Sequence, residues 1–136
     1  MLTRDGLSQM GKTAMKLHQI RGTDQCRTLI LSSPAPRALA SANVLSAVLK
    51  APVEEHVVLW SDMQHRARIE EAYDLIQGVG RCVNFVVAVT HLELAEDLPE
   101  VVGNRVGINV LWESDVLNGQ GVFLDYSSKT STPLKW

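Results

Sequence analysis

The residues best suited to chemistry form the segment Ser32-Ser33-Pro34-Ala35-Pro36-Arg37-Ala38, which follows the apolar run Thr28-Leu29-Ile30-Leu31. This order predicts a strand, a polar turn, and then a helix whose first turn carries Arg37. Free N–H groups at a helix N-terminus bind anions, and a guanidinium adds donors matched to phosphate oxygens. The segment is therefore a candidate phosphate pocket that uses Ser33 and Arg37. The alternative is an ordinary helix cap, with Ser followed by Pro at the first helical position and Arg37 in solvent.

His91 is the second candidate, because it directly follows the apolar run at 84–90, which predicts a strand buried on both faces. Ligand sites in open α/β sheets lie beyond the carboxyl ends of parallel strands. If the strands at 28–32 and 84–90 are parallel, His91 and Arg37 reach the same edge and can bind an oxyanion or a phosphoryl group there. The alternative for His91 is a half-buried turn histidine that bonds a carbonyl.

Alternating helices and strands must position these residues. The sequence predicts helices at 3–20, from Pro34 or Ala35 to just before Pro52, from Asp62 to 78–80 and at 92–102, and strands at 28–32, 55–60, 84–90, 107–114 and 120–127. The last two strands flank Asn118-Gly119, a tight-turn signal, so we expect them to pair as an antiparallel hairpin. The pattern predicts one α/β domain over residues 1–136, with a mostly parallel sheet and an antiparallel C-terminal hairpin.

Composition limits the classes of partner. The chain has 136 residues, of which 21% are charged, and a formal net charge of −2. Its basic residues are scattered, which argues against nucleic acid or an anionic membrane as a partner. No signal peptide and no apolar run of roughly 20 residues is present, so we expect a cytoplasmic protein. Cys26 and Cys82 are far apart and suggest neither a metal site nor a redox pair, and we expect no cofactor.

Three segments resemble the histidine phosphatase superfamily, which has the phosphoglycerate-mutase-like fold. Residues 2–9 resemble its Leu-Thr-x-x-Gly-x-x-Gln segment, residues 30–42 its Ser-Ser-Pro-x-x-Arg-Ala-x-x-Thr-Ala block, and Val87-Ala88-Val89-Thr90-His91 the strand that carries its second histidine. The order and spacing of the three segments also match. The resemblance implies a three-layer α/β/α sandwich, in which Arg37 binds the phosphoryl group and His91 donates to its oxygens in the transition state.

The resemblance does not extend to the family's nucleophile. Family members begin with a strand ending in Arg-His-Gly, whose histidine attacks phosphorus, and no Arg-His-Gly occurs in these 136 residues. The family's acid falls near Ser61, beside Asp62, which is either a substitute acid or the N-cap of the third helix. Loss of the nucleophile from a covalent mechanism costs on the order of a millionfold in turnover. We therefore expect an inactive phosphatase-like protein that binds a phosphorylated ligand through Ser33, Arg37 and His91.

The missing first strand leaves three structural possibilities. The sheet can close up so that strands 28–32 and 84–90 pair directly, or a second copy can cover the gap, which implies a homodimer. The third possibility is a natural chain that extends upstream of Met1 and is an active phosphomonoesterase. We favour the first two. A dimeric interaction protein with a vestigial pocket is the alternative to ligand binding.

Overall fold

The helices and strands alternate along the chain in the computed structural model, which describes residues 4–21, 27–59, 65–90, 92–110, 121–126 and 128–134. The helices are α1 (Arg4–Arg21), α2 (Pro36–Leu49), α3 (His65–Gly80) and α4 (Leu92–Val106), with a short 3-10 helix at Val57–Leu59. The strands are β1 (Thr28–Ser32), β2 (Val53–Glu55), β3 (Phe85–Val89), β4 (Gly121–Asp125) and β5 (Thr130–Leu134). The predicted α/β class is confirmed.

A three-stranded parallel sheet lies at the centre, in the order β2-β1-β3. The strand β1 pairs with β2 on one side, where Ser32 is opposite Glu55. On its other side it pairs directly with β3, from Thr28 opposite Phe85 to Ser32 opposite Val89. Of the possibilities that the sequence left open, the structure therefore shows direct pairing of these two strands, from Thr28 to Ser32 of β1.

The sheet separates two hydrophobic clusters, since successive side chains of a strand point to opposite faces. Ile30 packs with buried residues of α1 and α2, which are Met10, Ala14, Leu17, Ala42, Leu45 and Leu49. Its neighbour Leu31 packs with Leu59 and with buried residues of α3 and α4, which are Ile69, Ala72, Leu98 and Val102. Two helices therefore cover each face of the sheet, and the predicted three-layer α/β/α sandwich is confirmed.

Arg21, at the end of α1, ties that helix to two neighbours. Its guanidinium donates to the carbonyl oxygen of Leu49 at 2.8 Å and to Oγ1 of Thr28 at 3.2 Å. The last carbonyls of a helix have no partner within the helix, so the arginine supplies one at the end of α2. Sequence reasoning missed this role, because Arg21 and Leu49 are far apart in the chain.

Two predicted boundaries were wrong. The second strand ends at Glu55 and does not extend over 55–60, because the N–H of Leu59 bonds to the carbonyl of His56 and closes a 3-10 turn. The helix predicted at 92–102 continues through Pro99 to Val106, because Leu98 and Val102 on either side of the proline are buried in the core. It ends at Gly107, whose φ of 82° lets the N–H of Ile108 bond to the carbonyl of Gly103.

The C-terminal hairpin exists, but its partners differ from those predicted. The strand β4 pairs antiparallel with β5, from Gly121 opposite Leu134 to Asp125 opposite Thr130. Residues 107–110 form no strand, and 111–120, with Asn118-Gly119, lie outside the described residues. The real turn follows Asp125, whose Oδ1 accepts a hydrogen bond from the N–H of Ser128 at 3.3 Å. A polar strand containing a proline gives little sequence signal, so β5 was missed.

Candidate functional site

The three parallel strands end at one edge of the sheet, which we call the carboxyl edge. Beyond the last pairs of the ladder, the N–H of Ser33 donates to the carbonyl of Val89 at 3.0 Å. The N–H of His56 donates to the carbonyl of Ser32 at 2.8 Å. The segments that follow β1, β2 and β3 therefore leave the sheet side by side. Ligand sites of open α/β sheets lie at such edges.

The turn between β1 and α2 is built by two buried serines. The hydroxyl of Ser32 donates to the carbonyl of Ser33 at 2.8 Å, and Oγ of Ser33 accepts a hydrogen bond from the N–H of Ala35 at 3.3 Å. Both serines have no exposed surface. The N-cap of α2 is Ala35 and Pro36 is its first residue, so the interpretation of Ser33-Pro34 as the helix cap was wrong. Ser33 shapes the turn from inside.

Arg37 is the second residue of α2 and is exposed. No hydrogen bond or ion pair links its guanidinium to another described residue. The N-cap Ala35 makes no side-chain hydrogen bond to the helix. The N-cap side chain therefore offers no acceptor to the N–H groups of the first helical turn, and Arg37 is a residue of that turn, at the positive end of the helix dipole. This combination suits an anion.

His91 and Asp62 lie outside the described residues, as does Ser61. Thr90, which directly precedes His91, is described. Its hydroxyl donates to the carbonyl of Leu59 at 2.5 Å, which joins the end of β3 to the 3-10 helix after β2. The predicted approach of the strand before His91 to the strand before Arg37 is present, because β1 and β3 are parallel neighbours.

His56 directly follows β2 at the carboxyl edge. Its Nε2 lies 3.2 Å from Oε1 of Glu54, two residues earlier in the chain. Glu54 lies in β2 and His56 directly follows the strand, so this pairing is between near neighbours in the chain. The His56 side chain is 30% exposed.

Among the described residues, the groups with a shifted pKa lie elsewhere, on α3, on α4 and directly after β4. A two-fold hydrogen bond from Arg105 holds the pKa of Glu70 below its ordinary value, and the same bond raises the pKa of Arg105. The Arg105 guanidinium also lies 4.6 Å from the ring centre of Tyr73. Burial raises the pKa of Tyr126, whose hydroxyl donates to Gln77 at 3.3 Å. These contacts connect α3 to α4 and to the end of the hairpin, and they are separate from the β1–α2 turn.

In the described part of the chain, no three His, Cys, Asp or Glu side chains are grouped as metal ligands. None of the helices described there is both long and apolar enough to cross a bilayer.

The fold has counterparts among solved structures. Phosphoglycerate mutase from Plasmodium falciparum is 17% identical and gives a TM-score of 0.60 over 98% of this chain and 84% of that one. The protein histidine phosphatase SixA, solved in complex with tungstate, is 21% identical and gives 0.57 over 99% of this chain and 81% of that one. No protein-family model and no curated protein matches the sequence. Both structures belong to the histidine phosphatase superfamily, and this chain has the fold of that superfamily.

Proposed function

We propose that this protein binds a phosphorylated ligand at the carboxyl edge of its sheet and does not transfer the phosphoryl group. The start of α2 carries the proposal. Arg37 is exposed there, and the N-cap residue Ala35 offers no side-chain acceptor to the helix. A guanidinium in the first turn of a helix and the N–H groups of that turn supply charge and directed donors to a phosphate.

The likeness to SixA supports an oxyanion as the ligand. That phosphatase was solved with tungstate, a tetrahedral oxyanion similar in shape to phosphate. In this chain the turn that precedes Arg37 is rigid, because both Ser32 and Ser33 bond within it. A rigid turn lowers the entropic cost of holding the helix end against a ligand. Ser33 therefore contributes by fixing the turn, and Arg37 by direct contact.

His91 is the second residue that binds the anion in this proposal. It follows Thr90 in the chain, and β3 ends next to β1, as the hydrogen bond from Ser33 to Val89 shows. An imidazole N–H at this edge would donate to an oxygen of the same anion that Arg37 binds. Asp62 has a role as an acid only if the protein is catalytic.

The absence of a nucleophile motif supports binding without turnover. The 136 residues contain no Arg-His-Gly, the segment whose histidine attacks phosphorus in the superfamily. Covalent phosphoryl transfer requires a nucleophile in line with the leaving oxygen, and neither Arg37 nor the turn offers one.

The test is thermal unfolding of the protein with increasing phosphate, vanadate or tungstate. A ligand at 100 times its dissociation constant stabilises the native state by about 2.7 kcal/mol, which raises the midpoint by several degrees. We expect a saturable rise that Arg37→Ala and His91→Ala abolish or strongly reduce. Arg81→Ala is the matched control, because it removes the same charge from an exposed arginine at the opposite edge of the sheet.

Other outcomes separate the alternatives. A rise that Arg81→Ala reduces as much as Arg37→Ala would show general charge attraction and refute the site. No rise in the unsubstituted chain would favour the interaction protein with a vestigial pocket, and sedimentation would then test the expected homodimer. Hydrolysis of an aryl phosphate that His91→Ala removes would favour an active phosphomonoesterase.

A further inference from the structure

We propose that Thr90 is a positioning residue for the anion site, because its hydroxyl closes a ring of hydrogen bonds around the carboxyl edge. This inference rests on the proposed function, in which Arg37 and His91 bind the anion. The ring includes Ser33 and Thr90, which precede those two residues in the chain.

The ring joins the ends of all three parallel strands. It passes through six residues, which are Ser32, Ser33, Val89, Thr90, Leu59 and His56. Peptide bonds link Ser32 to Ser33 and Val89 to Thr90. Four hydrogen bonds complete it. They run from Ser33 N–H to Val89 at 3.0 Å, from Thr90 Oγ1 to Leu59 at 2.5 Å, from Leu59 N–H to His56 at 3.1 Å, and from His56 N–H to Ser32 at 2.8 Å.

Only one of these four bonds uses a side chain. The other three join backbone groups and do not depend on residue type, whereas the bond from Thr90 to Leu59 requires a hydroxyl. Leu59 is fully buried, so its carbonyl has few other partners if that hydroxyl is removed. One substitution can therefore open the ring while the sheet keeps its ladder.

Loss of the Thr90 hydrogen bond would affect the residues proposed to bind the anion, because those residues are close to Thr90 and Leu59 in the sequence. Thr90 is bonded to His91, and Leu59 directly precedes the segment at 60–64 that contains Asp62. Threonine has a restricted χ1 angle, so holding its hydroxyl on Leu59 also restrains the position of its Cα. The direction in which the chain departs toward His91 then depends on that bond. A direct contact between Thr90 and the anion is not required.

The experiment uses calorimetry to compare the dissociation constant of tungstate for the full chain and for four variants. The temperature is kept far below the midpoint of thermal unfolding. The variants are Thr90→Val, Thr90→Ser, His91→Ala and the double variant Thr90→Val/His91→Ala. We expect Thr90→Val to weaken tungstate binding about tenfold, the equivalent of one hydrogen bond of ordinary strength. Thr90→Ser keeps the hydroxyl and should bind as the unsubstituted chain does.

The double variant separates positioning from general loosening. If Thr90 acts through His91, then Thr90→Val should add little to the loss caused by His91→Ala, since the group it positions is already absent. Additive losses, or an unchanged dissociation constant in Thr90→Val, would overturn the inference.

A second measurement keeps this inference distinct from the proposed function. If the unsubstituted chain binds no tungstate, the proposed function fails. The NMR signals of the His91 ring protons then test whether Thr90 positions His91. Their chemical shifts should change in Thr90→Val and stay unchanged in Thr90→Ser, with His18 as the internal reference. Unchanged His91 shifts in Thr90→Val would refute a positioning role.

Discussion

The backbone N–H of Ser33 donates a hydrogen bond to the carbonyl oxygen of Val89 at 3.0 Å, one residue beyond the last pair of the β1–β3 ladder. Because Ser33 is fully buried, this hydrogen bond is shielded from solvent at the point where the two strands separate. We expect the Ser33 amide to exchange with solvent as slowly as that of Ile30, measured by hydrogen exchange in NMR. Exchange as fast as that of the exposed Arg81 amide would contradict direct pairing at this edge.

Lys50 ends α2 in the left-handed conformation, with φ of 53° and ψ of 51°. Residues with a Cβ are disfavoured there, whereas glycine is not. We expect Lys50→Gly to raise the free energy of unfolding by about 1 kcal/mol in urea denaturation. Lys12→Gly is the opposite control, because it introduces glycine into the interior of α1 and should lower stability by about 1 kcal/mol. A loss of stability in Lys50→Gly would contradict the prediction.

Gly103 lies where α4 approaches the chain that follows it. A Cβ at this position would lie 2.9 Å from the carbonyl oxygen of Ile108 and would overlap Val110. We therefore expect Gly103→Ala to lower the free energy of unfolding by about 1–3 kcal/mol. Gly78→Ala in α3 is the control, since its Cβ would enter open space and alanine favours the helix by about 1 kcal/mol. Equal effects of the two substitutions would show that the close approach is absent.

Tyr126 should titrate above its ordinary range. Burial is the larger cause of its raised pKa, and the nearby Tyr73 adds to it. The folded state favours the neutral phenol, so the associated stability is present below the unfolded-state pKa and is lost as pH rises through the folded-state value. In Tyr73→Phe, which leaves Tyr126 as the only tyrosine, tyrosinate absorbance should have a midpoint above about 10. A midpoint at or below that value would contradict the partial burial of Tyr126.

The local sequence was sufficient for much of the fold. The apolar run before Ser32 and the four-residue spacing of Ala38 and Ala42 depend only on near neighbours, and they correctly predicted β1 and α2. The order of motifs around Arg37 and His91 likewise predicted the superfamily fold. Such signals are local because the spacing of apolar residues within one segment indicates whether that segment forms a strand or a helix.

Tertiary structure decided what depends on distant residues. The sequence left open whether β1 pairs with β3. In the folded chain Ser32 pairs with Val89, although the two residues are 57 positions apart in the sequence. The partner of β4 and the hydrogen bond from Thr90 to Leu59 were likewise hidden. Each of these contacts forms only when elements far apart in the chain pack together. Their stability depends on the burial of both partners, which no short stretch of sequence records.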